Sequence, residues 1–133
     1  MASVIDHIGI TVKDYSKSKE FYDKVLKTIG VSATMFDDDE KYALYSPSSG
    51  TDKPVFPFII QEGAEPTASA HICFLAGSRA LVDEAYKSAI ELGAKENGGP
   101  GIREMYGKGY YAAFVLDCDG SNIEFLYRDP EMK

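Results

Sequence analysis

Residues 6–12 read DHIGITV, and residues 70–76 read AHICFLA. Each stretch sets one histidine, His7 or His71, in an apolar pattern that alternates as a β-strand does. They are the two histidines of a 133-residue chain. Each opens the same succession: strand, short turn, amphipathic helix, glycine. The intervals His7–Gly30 and His71–Gly93 differ by a single position. Each copy then supplies about three more strands. Neither βαβββ unit can bury a sheet face alone, so the pair is expected to pack together.

The expected fold is α+β and forms a single domain. Its modules cover about residues 1–62 and 70–129. They form a cupped, mostly antiparallel eight-stranded sheet with the helices on its outer face.

In order along the chain, Val4–Val12 is the first strand. Asp14 caps a helix whose apolar face carries Phe21, Tyr22, Val25, Leu26 and Ile29, and Gly30 ends it. Val31–Phe36 and Lys41–Ser46 form a hairpin around the acidic run Asp37–Glu40. That run lacks the alternating ligands and glycine of a calcium loop. Residues 46–53 are a loop. Pro54–Gln61 is a strand that Pro57 places at an edge or a bulge. In the second module, Ser78 caps a helix that ends at Gly93. A short strand at Lys95–Asn97 follows, then a glycine-rich loop from Gly98 to Gly109. Tyr110–Leu116 and Asn122–Arg128 are the last strands, joined by a turn at Asp119-Gly120.

Strand alternation assigns the faces. His7 points away from Ile8, Ile10 and Val12, and His71 away from Ile72 and Phe74. In the last strand Glu124 faces opposite to Ile123 and Phe125, into the cup. A carboxylate between two apolar neighbours is costly to bury unpaired. A metal ion is one positive partner that would meet it.

The formal charge of −7, from 21 acidic and 14 basic residues, argues against nucleic acid as a partner. No apolar run is long enough to span a membrane, and the first residues do not read as a signal peptide. Cys73 and Cys118 read as two reduced thiols, and the expected location is cytoplasmic.

The stretches DHIGITV, SKSKEFYDKVL, AHICFLA and YYAAFVLDCDGSNIEFLYR together resemble the vicinal-oxygen-chelate superfamily. It includes glyoxalase I, bleomycin-resistance proteins and extradiol dioxygenases. The resemblance implies paired βαβββ modules around a divalent ion (Zn, Ni, Co, Mn or Fe) and a homodimer. It places metal ligands at His7, His71 and Glu124. The family's fourth ligand, in the last strand of the first module, has Gln61 as its candidate. Gln61 follows His7 at nearly the interval between His71 and Glu124, although Pro57 and Ile59 have the apolar setting that surrounds Glu124.

Glu124 is also the candidate proton acceptor. The loop and the strand after it supply candidate substrate contacts. Arg103 and Lys108 suit an anionic group, Tyr106, Tyr110 and Tyr111 suit flat walls and hydroxyl donors, and Asn97 is a further polar contact. The resemblance thus implies a metal-dependent lyase or isomerase acting on a small oxygenated or thiol-conjugated substrate. Two alternatives stand beside it: a non-catalytic small-molecule binder of the bleomycin-resistance kind, and a ring-cleaving dioxygenase.

Overall fold

A computed structural model describes residues 4–47 and 58–130. The chain divides into two compact units, residues 1–67 and 68–133.

The first unit opens with β1 (Ile8–Val12) and α1 (Tyr15–Lys27). Three strands follow: β2 (Val31–Asp37), β3 (Tyr42–Pro47) and β4 (Phe58–Glu62). The sheet order is β1-β4-β3-β2. β1 and β4 run parallel, and the other neighbours are antiparallel. α1 forms where the sequence pattern places it. The Asp14 carboxylate accepts from the Lys17 N–H at 3.1 Å. Phe21, Tyr22, Val25 and Leu26 are buried, together with Ile10, Val12, Phe58 and Ile60 of the sheet. Tyr22 meets Phe58 edge-on at 5.0 Å between ring centroids. Beyond the helix, Gly30 takes the left-handed φ of 81° that a side chain would resist. The acidic run is a self-bonded turn, in which Asp37 accepts from the Asp39 and Glu40 N–H groups.

The first strand is shorter than its pattern. It begins at Ile8, so His7 lies just outside the ladder. Its first ladder residue, Ile8, pairs with Phe58, the first described residue of β4. Pro57 itself lies outside the described residues, as does most of the loop expected at 46–53. The described part of β4 is an inner strand between β1 and β3, not an edge.

The second unit repeats the plan with β5 (His71–Leu75), α2 (Arg79–Glu91), β6 (Lys95–Glu96), β7 (Gly101–Ile102), β8 (Tyr110–Leu116) and β9 (Asn122–Arg128). The order is β5-β9-β8-β6, with β7 also pairing to β8. β5 and β9 run parallel, and the other pairs are antiparallel. Ser78 caps α2 by accepting from Leu81 N–H at 3.2 Å. Val82, Ala85 and Ala89 form the buried face of that helix.

The architecture is the expected α+β arrangement, but the strands pair as two separate sheets of four and five. The extra strand, β7, interrupts the stretch expected to be plain loop, and a 3₁₀ turn at Glu104–Tyr106 follows it. Two-residue strands carry no periodicity, so no sequence pattern announces β7. Among the described residues, no helix is long and apolar enough to cross a membrane. Cys73 and Cys118 form no disulfide.

Candidate functional site

Glu124 is the central residue of the second unit's candidate site. β9 lies between β5 and β8, and Glu124 pairs across with Cys73 on one side and Phe114 on the other. Alternation sends Ile123 and Phe125 to one face, where both are fully buried. It sends Glu124 to the opposite face with His71, Cys73, Tyr110, Ala112, Phe114 and Leu126. Glu124 is itself 3% exposed, and its carboxylate is fully engaged. One oxygen, Oε1, lies 3.0 Å from His71 Nε2. The other, Oε2, accepts a short hydrogen bond from the Tyr110 hydroxyl.

The rings around this pair are held in turn. The His71 imidazole stacks on Phe114, with centroids 6.2 Å apart and an interplanar angle of 21°. Tyr110 packs edge-on against Tyr106 at 5.3 Å, and the Arg128 guanidinium lies over its ring at 5.0 Å. The Arg103 guanidinium lies 5.6 Å from the Phe114 ring and donates to the Gly99 carbonyl at 2.7 Å.

This environment sets the protonation of its neighbours. Burial, reinforced by the hydrogen bond to Glu124 and its negative charge, pushes the Tyr110 hydroxyl well above its ordinary value. Tyr110 is therefore a fixed donor near neutral pH. Burial and the Glu124 charge push the Cys73 thiol up to about 12, which makes it a poor nucleophile.

The remaining candidates divide. Tyr106 and Arg103 border the Glu124 face through the ring contacts above. Asn97 donates to the Asn122 side chain at 3.2 Å, and Asn122 pairs with His71. Lys108 is exposed. Tyr111 lies on the helix face: its hydroxyl donates to Asp83 of α2 at 2.6 Å and Arg79 stacks on its ring. Adjacent strand residues point to opposite faces, so Tyr110 and Tyr111 cannot share a wall.

In the first unit, His7 is exposed and its Nδ1 lies 2.8 Å from Asp6. The strand registers decide the place of Gln61. Cys73, two residues after His71, pairs with Glu124, whereas Gly9, two residues after His7, pairs with Ile59. Ile59 therefore holds the place of Glu124. Gln61 lies one full pleat further along, about 6.6 Å away, and is exposed. A cleft of about 440 Å³ in this unit lies beside α1, but two of its lysines pair with its own acids, Lys19 with Asp23 and Lys24 with Glu20.

Sequence reasoning singled out His71, Glu124 and Tyr110, which the structure brings together. It missed Arg128, Phe114 and Cys73. Their signal was available in strand parity: Arg128 follows Glu124 by an even number of residues, and Cys73 shares the His71 face.

As a metal half-site, the donor set fits. An imidazole nitrogen and a carboxylate oxygen are donors that divalent metals take, and His71 Nε2 and Glu124 Oε1 lie 3.0 Å apart, within hydrogen-bond distance. Among the described residues, no three histidine, cysteine or acidic side chains cluster closely enough to hold a metal.

Comparison with known proteins agrees with this fold. A structure of a glyoxalase/bleomycin resistance protein from Albidiferax ferrireducens is 27% identical, covering 95% of this chain and 100% of its own, with a TM-score of 0.79. Two more distant structures show the fold alone. One is a mutant of the genomically encoded fosfomycin resistance protein of Listeria monocytogenes, complexed with Mn(II) and a dihydroxypropylphosphonic acid. It is 21% identical, covers 98% of this chain and 94% of its own, and has a TM-score of 0.66. The other is a glyoxalase/bleomycin resistance protein/dioxygenase from Nocardioides, 16% identical over 100% of this chain and 88% of its own, with a TM-score of 0.60. A search of curated protein sequences found no match. The model of one family matches residues 4–125, and the chain belongs to that family, the Glyoxalase/Bleomycin resistance protein/Dioxygenase superfamily.

Proposed function

We propose that this protein is a metal-dependent enzyme of the glyoxalase-like type, acting as a lyase or isomerase on a small oxygenated or thiol-conjugated substrate. The observation that carries the reading is the buried Glu124 carboxylate, which turns one oxygen to His71 Nε2 at 3.0 Å. A carboxylate in that setting needs a cation or a close hydrogen-bond network to offset its desolvation.

His71 and Glu124 are the proposed ligands from the second unit. His7 is the proposed third, on its sequence equivalence to His71. Ile59, at the register place of Glu124, offers no donor, so the proposed set has three protein ligands, without Gln61. A divalent ion held by these residues would supply Lewis acidity toward a substrate oxygen. The chain's own groups do the rest. Phe114 holds the imidazole plane. Tyr110 donates to Oε2 and leaves Oε1 to face His71. Leu126 and Ala112, both buried, keep water from that side of the carboxylate. Glu124 is the proposed proton acceptor, since the Cys73 thiol beside it stays protonated. Arg103 and Tyr106 are proposed substrate contacts at the edge of this face. Homodimer formation is proposed with this reading.

Metal analysis of untagged protein purified without chelator tests it. Near-stoichiometric divalent metal is expected, lost in His71→Ala and Glu124→Gln and weakened in His7→Ala. Failure to bind any divalent metal under all loading conditions would sink the proposal.

Ile59 at the place of Glu124 favours a second reading, a non-catalytic small-molecule binder whose first unit has given up its donor. A thermal-shift screen separates the two: ligands that stabilise the metal-free protein and are recovered unchanged support the binder, and turnover of a bound ligand rejects it.

A further inference from the structure

We propose that Tyr110 is a positioning residue that holds Glu124 in single-oxygen geometry toward the metal, rather than a wall of the substrate pocket. The proposal rests on the reading of His71 and Glu124 as metal ligands. Tyr110 opens β8, four residues before Phe114, the cross-strand partner of Glu124. Four strand residues span about 13 Å, so the phenol must lie along the sheet to reach the carboxylate. Ala112 makes this possible. It is the residue of the same face between Tyr110 and Phe114, and its small side chain leaves the ring room to pack with Ala112 and Leu126 in one buried cluster.

The phenol is contacted by the Tyr106 ring at 5.3 Å and the Arg128 guanidinium at 5.0 Å. Its hydroxyl donates to Glu124 Oε2. Tyr110 is only 8% exposed, so it offers a substrate little surface. The two carboxylate oxygens therefore have separate tasks. Oε2 is tied to Tyr110, and Oε1 faces His71. Without the tie, Glu124 is free to rotate or to present both oxygens to one ion, and the angle at which it meets His71 is lost. Such outer hydrogen bonds orient metal-binding carboxylates and tune their affinity.

The test compares wild type, Tyr110→Phe, Tyr106→Ala and Glu124→Gln, each as the full chain. Mn(II) affinity is read from the electron paramagnetic resonance signal of free ion, and coordination from the visible spectrum after Co(II) loading. Tyr110→Phe keeps the ring and removes the hydroxyl. It is expected to weaken Mn(II) binding by about 10- to 100-fold and to alter the Co(II) bands. Tyr106→Ala, at a residue 59% exposed, is expected to weaken binding less and in the same direction.

If wild type binds and Glu124→Gln does not, while Tyr110→Phe matches wild type in affinity and spectrum, the positioning role is overturned and the metal site stands. If wild type itself binds no metal, the proposed function fails and this inference with it. Should Tyr110→Phe not fold by circular dichroism, Tyr106→Ala decides: an unchanged affinity and spectrum overturns the role, and a weakened affinity with shifted bands supports it.

Discussion

The two units share one trace and one register, yet they place different chemistry at equivalent positions. In each, the first strand pairs in parallel with the last, and the residue after the histidine pairs with an apolar residue: Ile8 with Phe58, Ile72 with Ile123. One step on, the pairs diverge to Gly9 with Ile59 and Cys73 with Glu124. The first unit shows that an aliphatic side chain satisfies the fold at this place. Glu124 is therefore not required by the sheet, and its burial costs the second unit desolvation that Ile59 spares the first. A carboxylate placed where the architecture accepts isoleucine is not there for the fold, in keeping with the ligand role proposed for it.

Exchanging the residues tests that lesson most severely. Glu124→Ile should abolish metal binding and leave the Tyr110 hydroxyl without its acceptor, at a cost of about 1–3 kcal/mol. Adding Tyr110→Phe should recover most of that loss. Urea unfolding of the single and double variants measures it. A double variant no more stable than Glu124→Ile would show that the carboxylate supports the fold through other contacts, and the comparison would break.

A second comparison concerns the register-equivalent core residues Phe58 and Ile123, both nearly or fully buried. Phe58→Ala should destabilise by about 3–5 kcal/mol and Ile123→Ala by about 2–5 kcal/mol, in each case from lost transfer energy and the cavity left behind. Calorimetry of the two variants reads the effect. Near-neutral outcomes at either position would remove the claim that the two sheets carry matched cores.

The smallest effect is a difference in pH response. Tyr45 is fully buried and donates to Asp23 at 2.9 Å. Burial first, then the Asp23 charge and hydrogen bond, hold its hydroxyl far above the usual tyrosine range. The folded state therefore keeps a proton that the unfolded chain releases near pH 10. The contribution is complete below the unfolded value and declines as pH rises toward the folded one, by up to about 1.4 kcal/mol per pH unit. Above pH 10 the unfolding midpoint of wild type should fall more steeply than that of Tyr45→Phe. Parallel slopes would show that Tyr45 ionises in the folded protein.

Much of this was legible in the chain itself. Alternation and helical spacing are local consequences of backbone geometry, so both helices, their caps at Asp14 and Ser78, and the strands Tyr110–Leu116 and Asn122–Arg128 appear where the pattern places them. The same parity put Glu124 on the His71 face. What the pattern left open depends on pairing partners far away in sequence. The start of β1 after His7, the inner position of β4 and the two-residue strand β7 are set by which backbone groups find a partner.

The sequence by itself determined the repeat, the faces and the candidate histidine and carboxylate, because these follow from periods of two and 3.6 residues. Tertiary structure alone decided that Ile59, not Gln61, stands where Glu124 does, because register is a property of two strands and not of either one. It also decided that Tyr110 reaches Glu124 while Tyr111 turns to α2, because a side chain's partner depends on what the opposite strand leaves space for. In this protein that space is the small side chain of Ala112.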